Sequence, residues 1–236
     1  MTSVPSRADF DSQPPMPISE YARTVTAVNV GYELLFTLTY CFLRALGQPD
    51  LDLLVVGAGG GMEIERFLPD NPGWRLVGVD PSLDMLALAR ATAARLGVEE
   101  RVEFMQGAVD GLPAERRFDA ATCLFVLHFL PDDAKLALLR EIARRLRPQA
   151  PLLVVSGARV HEGDLREDLL AAWQQHGTLM GLPAERMRGI IQQLVAQQEG
   201  ATTEGEYVRL LHEAGFERVA PYLSVMNGGV GAWLAR

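Results

Sequence analysis

The fold of this chain is decided by the stretch Leu53-Leu54-Val55-Val56-Gly57-Ala58-Gly59-Gly60-Gly61-Met62-Glu63-Ile64. Its four leading apolar residues form a short apolar run, which is typical of a fully buried strand. The glycines let the backbone turn sharply and approach a ligand closely, and the following helix would offer its N-terminal N–H groups. A strand, glycine turn and helix of this kind predict a small-molecule site. The alternative is a glycine-rich turn that holds no ligand.

Strand and helix patterns alternate after this turn. The strand patterns lie at about 52–56, 75–79, 102–106, 118–124 and 151–156, and the helical patterns at about 61–69, 82–96 and 133–146. This alternation predicts an α/β fold, in which helices cover both faces of a parallel sheet. A further helical pattern at about 203–214 precedes two strand patterns, at about 216–225 and 230–235. Asn227-Gly228-Gly229 joins these two strands as a hairpin signal, so one strand must be antiparallel.

The remaining segments complete a single domain. Residues 1–17 carry four prolines among polar residues, and we expect them to form a flexible tail. Residues 18–236 are predicted to form the domain, which starts with two helices broken near Asn29-Val30-Gly31. The first of its long apolar stripes is predicted at Leu34, Leu35, Leu38, Phe42 and Leu46. Two amphipathic patterns within about 161–200 predict a helical lid over the ligand edge; an ordinary crossover with one extra helix is the alternative.

Composition limits the partners of this protein. The chain has 236 residues and a net charge of −8, which argues against direct binding of nucleic acid. No signal-peptide pattern opens the chain, and its longest apolar stretch is too short to cross a bilayer. We therefore expect a cytoplasmic protein that acts on a small molecule, without a membrane or nucleic-acid partner, and with a homodimer as the one assembly considered.

Neither cysteine nor histidine spacing indicates a metal site. Cys41 and Cys123 lie far apart, and the four histidines form no paired-ligand pattern. We predict that no metal is bound and that no disulfide framework exists, and we expect both cysteines in the core.

The second strand pattern ends in Asp80, at the edge where an open parallel sheet binds its ligands. An acid at this place can accept hydrogen bonds from both hydroxyls of a ribose. The alternative role is to cap the next helix, for which Ser82 is the better candidate. The glycines before it follow a G-x-G-x-G form over Gly57–Gly61, because Met62 replaces the last glycine of the dinucleotide fingerprint.

From about Val30 to the C-terminus, the chain resembles the class I S-adenosylmethionine-dependent methyltransferases. The matching stretches are Val55-Val56-Gly57-Ala58-Gly59-Gly60-Gly61, Gly78-Val79-Asp80-Pro81-Ser82-Leu83-Asp84-Met85-Leu86, Gly107-Ala108-Val109-Asp110-Gly111-Leu112-Pro113, Phe118-Asp119, Leu127-His128-Phe129-Leu130-Pro131-Asp132, Ile142-Ala143-Arg144-Arg145-Leu146-Arg147-Pro148 and Glu213-Ala214-Gly215-Phe216. The resemblance implies a doubly wound seven-stranded sheet in the order 3-2-1-4-5-7-6, with the last strand antiparallel. It also implies S-adenosylmethionine as the cofactor and S-adenosylhomocysteine as the product.

The resemblance further implies a set of cofactor contacts. They are Gly57, Ala58 and Gly59 for the methionine part, Asp80 for the ribose, Pro81 and Met85 for the adenine, Ala108 and Val109 for its edge, and Leu124 and Phe125 beneath the methionine and sulfonium. Val30-Gly31-Tyr32 resembles the segment that closes over the cofactor in the carboxy-S-adenosylmethionine synthase group, so Tyr32 is a further candidate contact; a core tyrosine is the alternative. The chain departs from the family at Val55 and Ala108, where acids are common, and Asp110 or Glu63 could replace them.

The catalytic candidates follow the fourth and fifth strand patterns. His128 lies just beyond the fourth, where it could act as a general base or contact the substrate; a structural loop histidine is the alternative. His161 and Glu162 follow the fifth and are the next candidates. The predicted lid contains three apolar side chains that could line an acceptor pocket, Trp173, Met180 and Met187; core packing is the alternative.

These features predict an S-adenosylmethionine-dependent methyltransferase acting on a small-molecule acceptor. One alternative is a carboxy-S-adenosylmethionine synthase-like enzyme, which would need an arginine near the sulfonium, and Arg159 is conceivable for that role. A second is a non-catalytic S-adenosylmethionine-binding module. A third, suggested by the glycine turn alone, is a nicotinamide-dependent oxidoreductase.

Overall fold

The computed structural model describes residues 21–159, 163–196, 202–226 and 229–236. The strands are β1 (Asp50–Val56), β2 (Gly73–Asp80), β3 (Val102–Gln106), β4 (Ala120–Leu124), β5 (Leu152–Gly157), β6 (Val219–Val225) and β7 (Val230–Ala235). The helices are α1 (Tyr21–Val28), α2 (Tyr32–Arg44), α3 (Met62–Phe67), α4 (Leu83–Leu96), α5 (Asp132–Arg145), α6 (Arg166–Leu179), α7 (Ala184–Ala196) and α8 (Glu204–Glu213). The predicted tail, at 1–17, lies outside the described residues.

The seven strands form one sheet in the order β3-β2-β1-β4-β5-β7-β6, which confirms the predicted α/β architecture. β1 to β5 are parallel, and β7 runs antiparallel to both β5 and β6. The strand order reverses between β1 and β4, which makes the carboxyl ends of these two strands the switch point where such sheets bind ligands. Of the predicted hairpin signal, Asn227 and Gly228 lie outside the described residues.

Apolar cores cover both faces of the sheet, and β1 contributes to each by strict alternation. Leu53 and Val55 pack into the core formed with α2, α3 and α4. Leu54 and Val56 pack into the core formed with α5 and α8. Because side chains alternate along a strand, both faces of a central strand must be apolar, and this explains the unbroken apolar run before the glycines.

The buried face of α2 differs from the predicted stripe. Leu34 was expected in the core but is 48% exposed, while Tyr32, Phe36 and Leu43 are buried. The predicted Leu35 is buried, and Phe42 and Leu46 are partly buried against the same core, so the stripe was right in period and wrong at Leu34. Phe36 packs against Phe67 of α3, and Phe42 packs against Tyr222 of β6.

A third core joins α1 to α6 and α7, the two helices within the region predicted as a lid. The Trp173 indole donates a hydrogen bond of 2.6 Å to the carbonyl oxygen of Val28. Met187 is fully buried in the same cluster, while Met180 is 45% exposed. Core packing was the alternative role for these side chains, and it accounts for Trp173 and Met187. Neither residue lines the cavity at the carboxyl edge of the sheet.

The two cysteines lie in different environments. Cys123 is buried in β4 as expected, but Cys41 is exposed on α2, because the buried face of that helix is turned away from it. No helix among the described residues is long and apolar enough to cross a membrane.

Candidate functional site

The glycine turn after β1 depends on backbone conformations that favour glycine. Gly57, Gly59 and Gly61 have φ values of 73°, 48° and 84°, in the left-handed region. A Cβ atom on Gly57 would lie 2.3 Å from a methyl carbon of Val126, so the loop after β4 approaches the turn closely. The N–H groups of Gly57 and Ala58 both donate to the carbonyl oxygen of the residue before Asp80, at 2.8 and 3.1 Å.

Asp80 ties this turn to the start of α4. One of its carboxylate oxygens accepts a hydrogen bond of 2.9 Å from the N–H of Gly59, and the other accepts one of 2.9 Å from the N–H of Ser82. The Ser82 hydroxyl accepts from the N–H of Met85 at 3.1 Å and is the N-cap of α4, as predicted. Asp80 therefore orients the glycine turn. The family that the chain resembles often has an acid for this purpose at the position of Val55, which here is apolar and buried in the core.

A cavity of about 350 Å³ opens at the switch point beside this turn. Its lining contains most of the cofactor contacts implied by the resemblance, namely Gly57, Gly59, Asp80, Pro81, Met85, Ala108, Val109, Leu124 and Phe125. Phe129, Leu130 and the three apolar residues of α5 in the lining, Ala134, Ala137 and Leu138, extend the apolar wall beyond them. Two implied contacts lie outside this lining. Ala58 is buried behind the turn, and Tyr32 is buried in the core beside the cavity.

Tyr32 packs against Phe125, which lines the cavity. The two rings stack with centroids 5.5 Å apart and an interplanar angle of 26°. Phe125 has a φ of 59°, which is uncommon for a residue with a Cβ atom, and its N–H donates to the carbonyl oxygen of Val155 at 2.7 Å. Such backbone strain concentrates at functional sites. The structure thus places the tyrosine behind the phenylalanine that forms the cavity wall.

The charges in the lining restrict what can bind. Its described residues include the acids Asp80, Asp110 and Glu141 and no lysine or arginine. A pyrophosphate would meet acids without a basic partner, whereas a ligand with a ribose and a positive charge matches this lining. Of the two acids proposed to replace the missing ones, Asp110 faces the cavity and Glu63 does not.

Glu63 lies behind the turn, at the start of α3, and is 4% exposed. Burial raises the pKa of Glu63 to about 8. A hydrogen bond to its own backbone lowers the pKa, and the negative charge of Asp80 raises it further. Its carboxyl group is therefore mostly protonated at neutral pH. Burial also raises the pKa of the nearby Cys123 thiol, and the charge of Glu63 makes a smaller contribution in the same direction.

His128 stands beside the cavity, on a short 3-10 helix over Leu127–Phe129 whose last residue lines the cavity wall. Its Nδ1 accepts a hydrogen bond of 3.2 Å from the backbone N–H of Gly157, at the end of β5. Desolvation by the surrounding protein, followed by repulsion from Lys135, lowers the pKa of His128 to about 4. Part of the His128 side chain is nevertheless exposed to solvent. His161 and Glu162 lie outside the described residues.

A polar network that the sequence analysis missed supports this histidine. The Ser156 hydroxyl lies 3.4 Å from Nδ1 of His128 and 2.9 Å from the Tyr207 hydroxyl. Beside it, Lys135, the only lysine of the chain, is 5% exposed and bonds to Asp132 at 2.7 Å. These residues come from β5, α8 and α5, so no local pattern relates them. A lone lysine in the first turn of an amphipathic helix was the one available signal.

Comparison with known proteins gives a consistent result. The family model described as "Methyltransferase domain" matches residues 53–149, from β1 to the loop before β5. The chain is 34% identical over 124 residues to the ubiquinone/menaquinone biosynthesis C-methyltransferase of Bradyrhizobium diazoefficiens, a match that covers 50% of this chain and 48% of that enzyme. It is 29% identical over 171 residues to the carboxy-S-adenosyl-L-methionine synthase of Wolinella succinogenes, covering 70% of this chain and 67% of that enzyme.

Solved structures share the fold at low sequence identity. An O-methyltransferase family protein from Burkholderia thailandensis superposes with a TM-score of 0.62 at 15% identity, over 98% of this chain and 64% of that one. This likeness concerns the fold alone. The chain spans about half the length, or less, of most curated relatives that it matches.

Proposed function

We propose that the chain is a class I S-adenosylmethionine-dependent methyltransferase and that it transfers a methyl group from S-adenosylmethionine to a small-molecule acceptor. The observation that carries this proposal is Asp80, which lines the cavity at the carboxyl end of β2 and is oriented by the N–H of Gly59. A carboxylate can accept about four hydrogen bonds, so these backbone donors position it without exhausting its capacity for ribose hydroxyls.

S-Adenosylmethionine, when bound, supplies a methyl group already activated by the sulfonium. The residues of this chain need mainly to bind, orient and keep water away. In the proposed arrangement Asp80 holds the ribose, and Pro81, Met85, Ala108 and Val109 surround the adenine. Gly57 and Gly59 allow the methionine part to approach the backbone, and Leu124 and Phe125 provide an apolar wall beneath the reacting carbon.

The carboxy-S-adenosylmethionine synthase alternative has support in the Wolinella relative, but the described residues that line the cavity offer no basic partner for the added carboxylate. The described lining holds no arginine. Arg159 lies outside this lining, with its backbone N–H bonded to Thr202 and its charge close to Glu206. Intact-mass analysis of the small molecule released from the purified protein separates the two, since the carboxylated form is heavier than S-adenosylmethionine.

Thermal unfolding tests the proposed cofactor. We expect S-adenosylhomocysteine at saturating concentration to raise the melting temperature, because a ligand that binds only the folded state stabilises it by mass action. NADH serves as the matched control, since it shares the adenosine but adds a pyrophosphate that the acidic lining should reject. Stabilisation by NADH and not by S-adenosylhomocysteine would contradict the proposal. A protein that binds S-adenosylhomocysteine but never converts S-adenosylmethionine to it in the presence of acceptors would be a binding module.

A further inference from the structure

Phe125, in the cavity wall after β4, is held in a backbone conformation that its own side chain disfavours. Its φ of 59° lies in the left-handed region. For a residue with a Cβ atom this conformation costs free energy, so it persists only where the surrounding structure imposes it. The Phe125 N–H donates to the carbonyl oxygen of Val155 at 2.7 Å, which fixes the backbone from the side of β5.

The ring of Tyr32 supports Phe125 from the core. Tyr32 is the first residue of α2 and is buried, and its ring stacks on that of Phe125 with centroids 5.5 Å apart. The ring of Phe36, one helical turn later, contacts Tyr32 with centroids 4.9 Å apart and is itself buried. Because buried rings are closely packed, a change in the Phe125 conformation would have to displace Tyr32.

The order of the strands places Phe125 at one end of the cavity. Asp80 ends β2 and Ala108 follows β3, whereas Phe125 follows β4, and all three residues line the cavity. Since β1 lies between β2 and β4, about 10 Å separates the strand that carries Asp80 from the strand that precedes Phe125. A ligand with its ribose at Asp80 and its adenine beside Ala108 therefore directs its methionine part towards Phe125.

We propose that Tyr32 is a positioning residue for methyl transfer, whose ring holds Phe125 in the conformation that forms the wall at the methionine end of the cavity. This inference rests on the proposed function, because it places S-adenosylmethionine in this cavity. Tyr32 lies outside the described lining and acts only by raising the fraction of molecules in which the wall is already formed. Apparent affinity falls with the competent fraction, so loss of the Tyr32 ring should weaken binding at the methionine end.

Two ligands separate an effect at this end from a general loss of structure. S-Adenosylhomocysteine occupies both ends of the cavity in the proposed arrangement, whereas adenosine has the same adenine and ribose without the homocysteine part. In isothermal titration calorimetry, Tyr32→Leu should raise the dissociation constant of S-adenosylhomocysteine about two- to tenfold, the range expected for an aromatic pair, and leave that of adenosine unchanged. Tyr32→Phe keeps the stacked ring and should bind both ligands as the wild type does.

Tyr40→Leu is the matched control on the same helix. The Tyr40 ring stacks on Phe67 of α3 with centroids 5.6 Å apart, and neither residue belongs to the described lining of the cavity. This variant should lower the free energy of unfolding in urea, as Tyr32→Leu should, without changing either dissociation constant. If Tyr32→Leu does not fold, Tyr32→Met takes its place with the same expectations, because its flexible side chain fills the space without a ring.

A double variant tests whether Tyr32 acts through Phe125. Phe125→Ala removes the wall, so adding Tyr32→Leu to it should cost no further affinity for S-adenosylhomocysteine. Additive losses would overturn the inference, as would an equal loss for adenosine or an unchanged affinity for S-adenosylhomocysteine in Tyr32→Leu. A wild type that does not bind S-adenosylhomocysteine would contradict the proposed function itself, and the inference with it, so the two failures are distinguishable.

Discussion

Replacement of Asp80 by alanine is expected to weaken the binding of S-adenosylhomocysteine by about 1.5–3 kcal/mol, which is roughly a ten- to hundredfold loss of affinity. The substitution removes the proposed acceptor for both ribose hydroxyls. It also leaves the N–H groups of Gly59 and Ser82 without the carboxylate that each now contacts at 2.9 Å. The glycine turn should then lose part of its fixed geometry. Isothermal titration calorimetry with S-adenosylhomocysteine measures the change directly.

Two further variants separate the ribose contact from the turn. Asp80→Asn retains one acceptor oxygen and nearly the same volume, so it should fall between the wild type and Asp80→Ala. Asp70→Ala removes an exposed acid in the loop before β2 and should leave the affinity unchanged. Unchanged affinity in Asp80→Ala, with the same heat of binding, would show that the ribose is held elsewhere.

The second large effect is a pH dependence of the free energy of unfolding, and it arises from Glu63. Its pKa is raised from 4.5 to about 8, so the folded state holds a proton that the unfolded state has already released between these values. The contribution of Glu63 to the free energy of unfolding should therefore be largest at and below about pH 4.5. This contribution should fall as the pH rises from there through about 8, by an amount on the order of 4 kcal/mol in total. Glu63→Gln, which cannot ionise, should remove most of this loss.

Urea unfolding at a series of pH values from about 5 to about 9 measures the effect. Glu65→Gln is the matched control on the same helix, because that carboxylate is exposed and its ion pair with Arg95, at 2.8 Å, is worth little. We expect Glu65→Gln to retain the slope of the wild type and Glu63→Gln to flatten it. Parallel curves for the wild type and Glu63→Gln would mean that Glu63 ionises normally.

The fold could be predicted from the sequence because its signals are local. The apolar run of β1, the glycines after it and the N-cap Ser82 each act within a few residues. The position of Asp80 at the cavity could also be predicted, since it ends β2 at the carboxyl edge of the sheet. The α/β alternation and the terminal pair of antiparallel strands then fix the remaining order.

The details that failed depend on contacts between distant segments. The buried face of α2 depends on its packing against distant residues such as Phe67 of α3 and Tyr222 of β6, so Leu34 and Cys41 were wrongly expected in the core. Trp173 and Met187 share a core with α1, which lies more than a hundred residues earlier in the chain. The hydrogen bond that His128 accepts from the N–H of Gly157 joins the segment after β4 to the end of β5, 29 residues later. No pattern within one helix or strand contains this information.

The crystal structure of the full chain bound to S-adenosylhomocysteine tests the central claim most directly. We expect the ligand in the cavity at the carboxyl ends of β1 and β4, with both ribose hydroxyls bonded to the carboxylate of Asp80. The adenine should lie between Pro81 and Met85 on one side and Val109 on the other, and the sulfur should face Phe125. A complex in which the ribose is held by other residues, or in which the ligand leaves this cavity empty, would contradict the account.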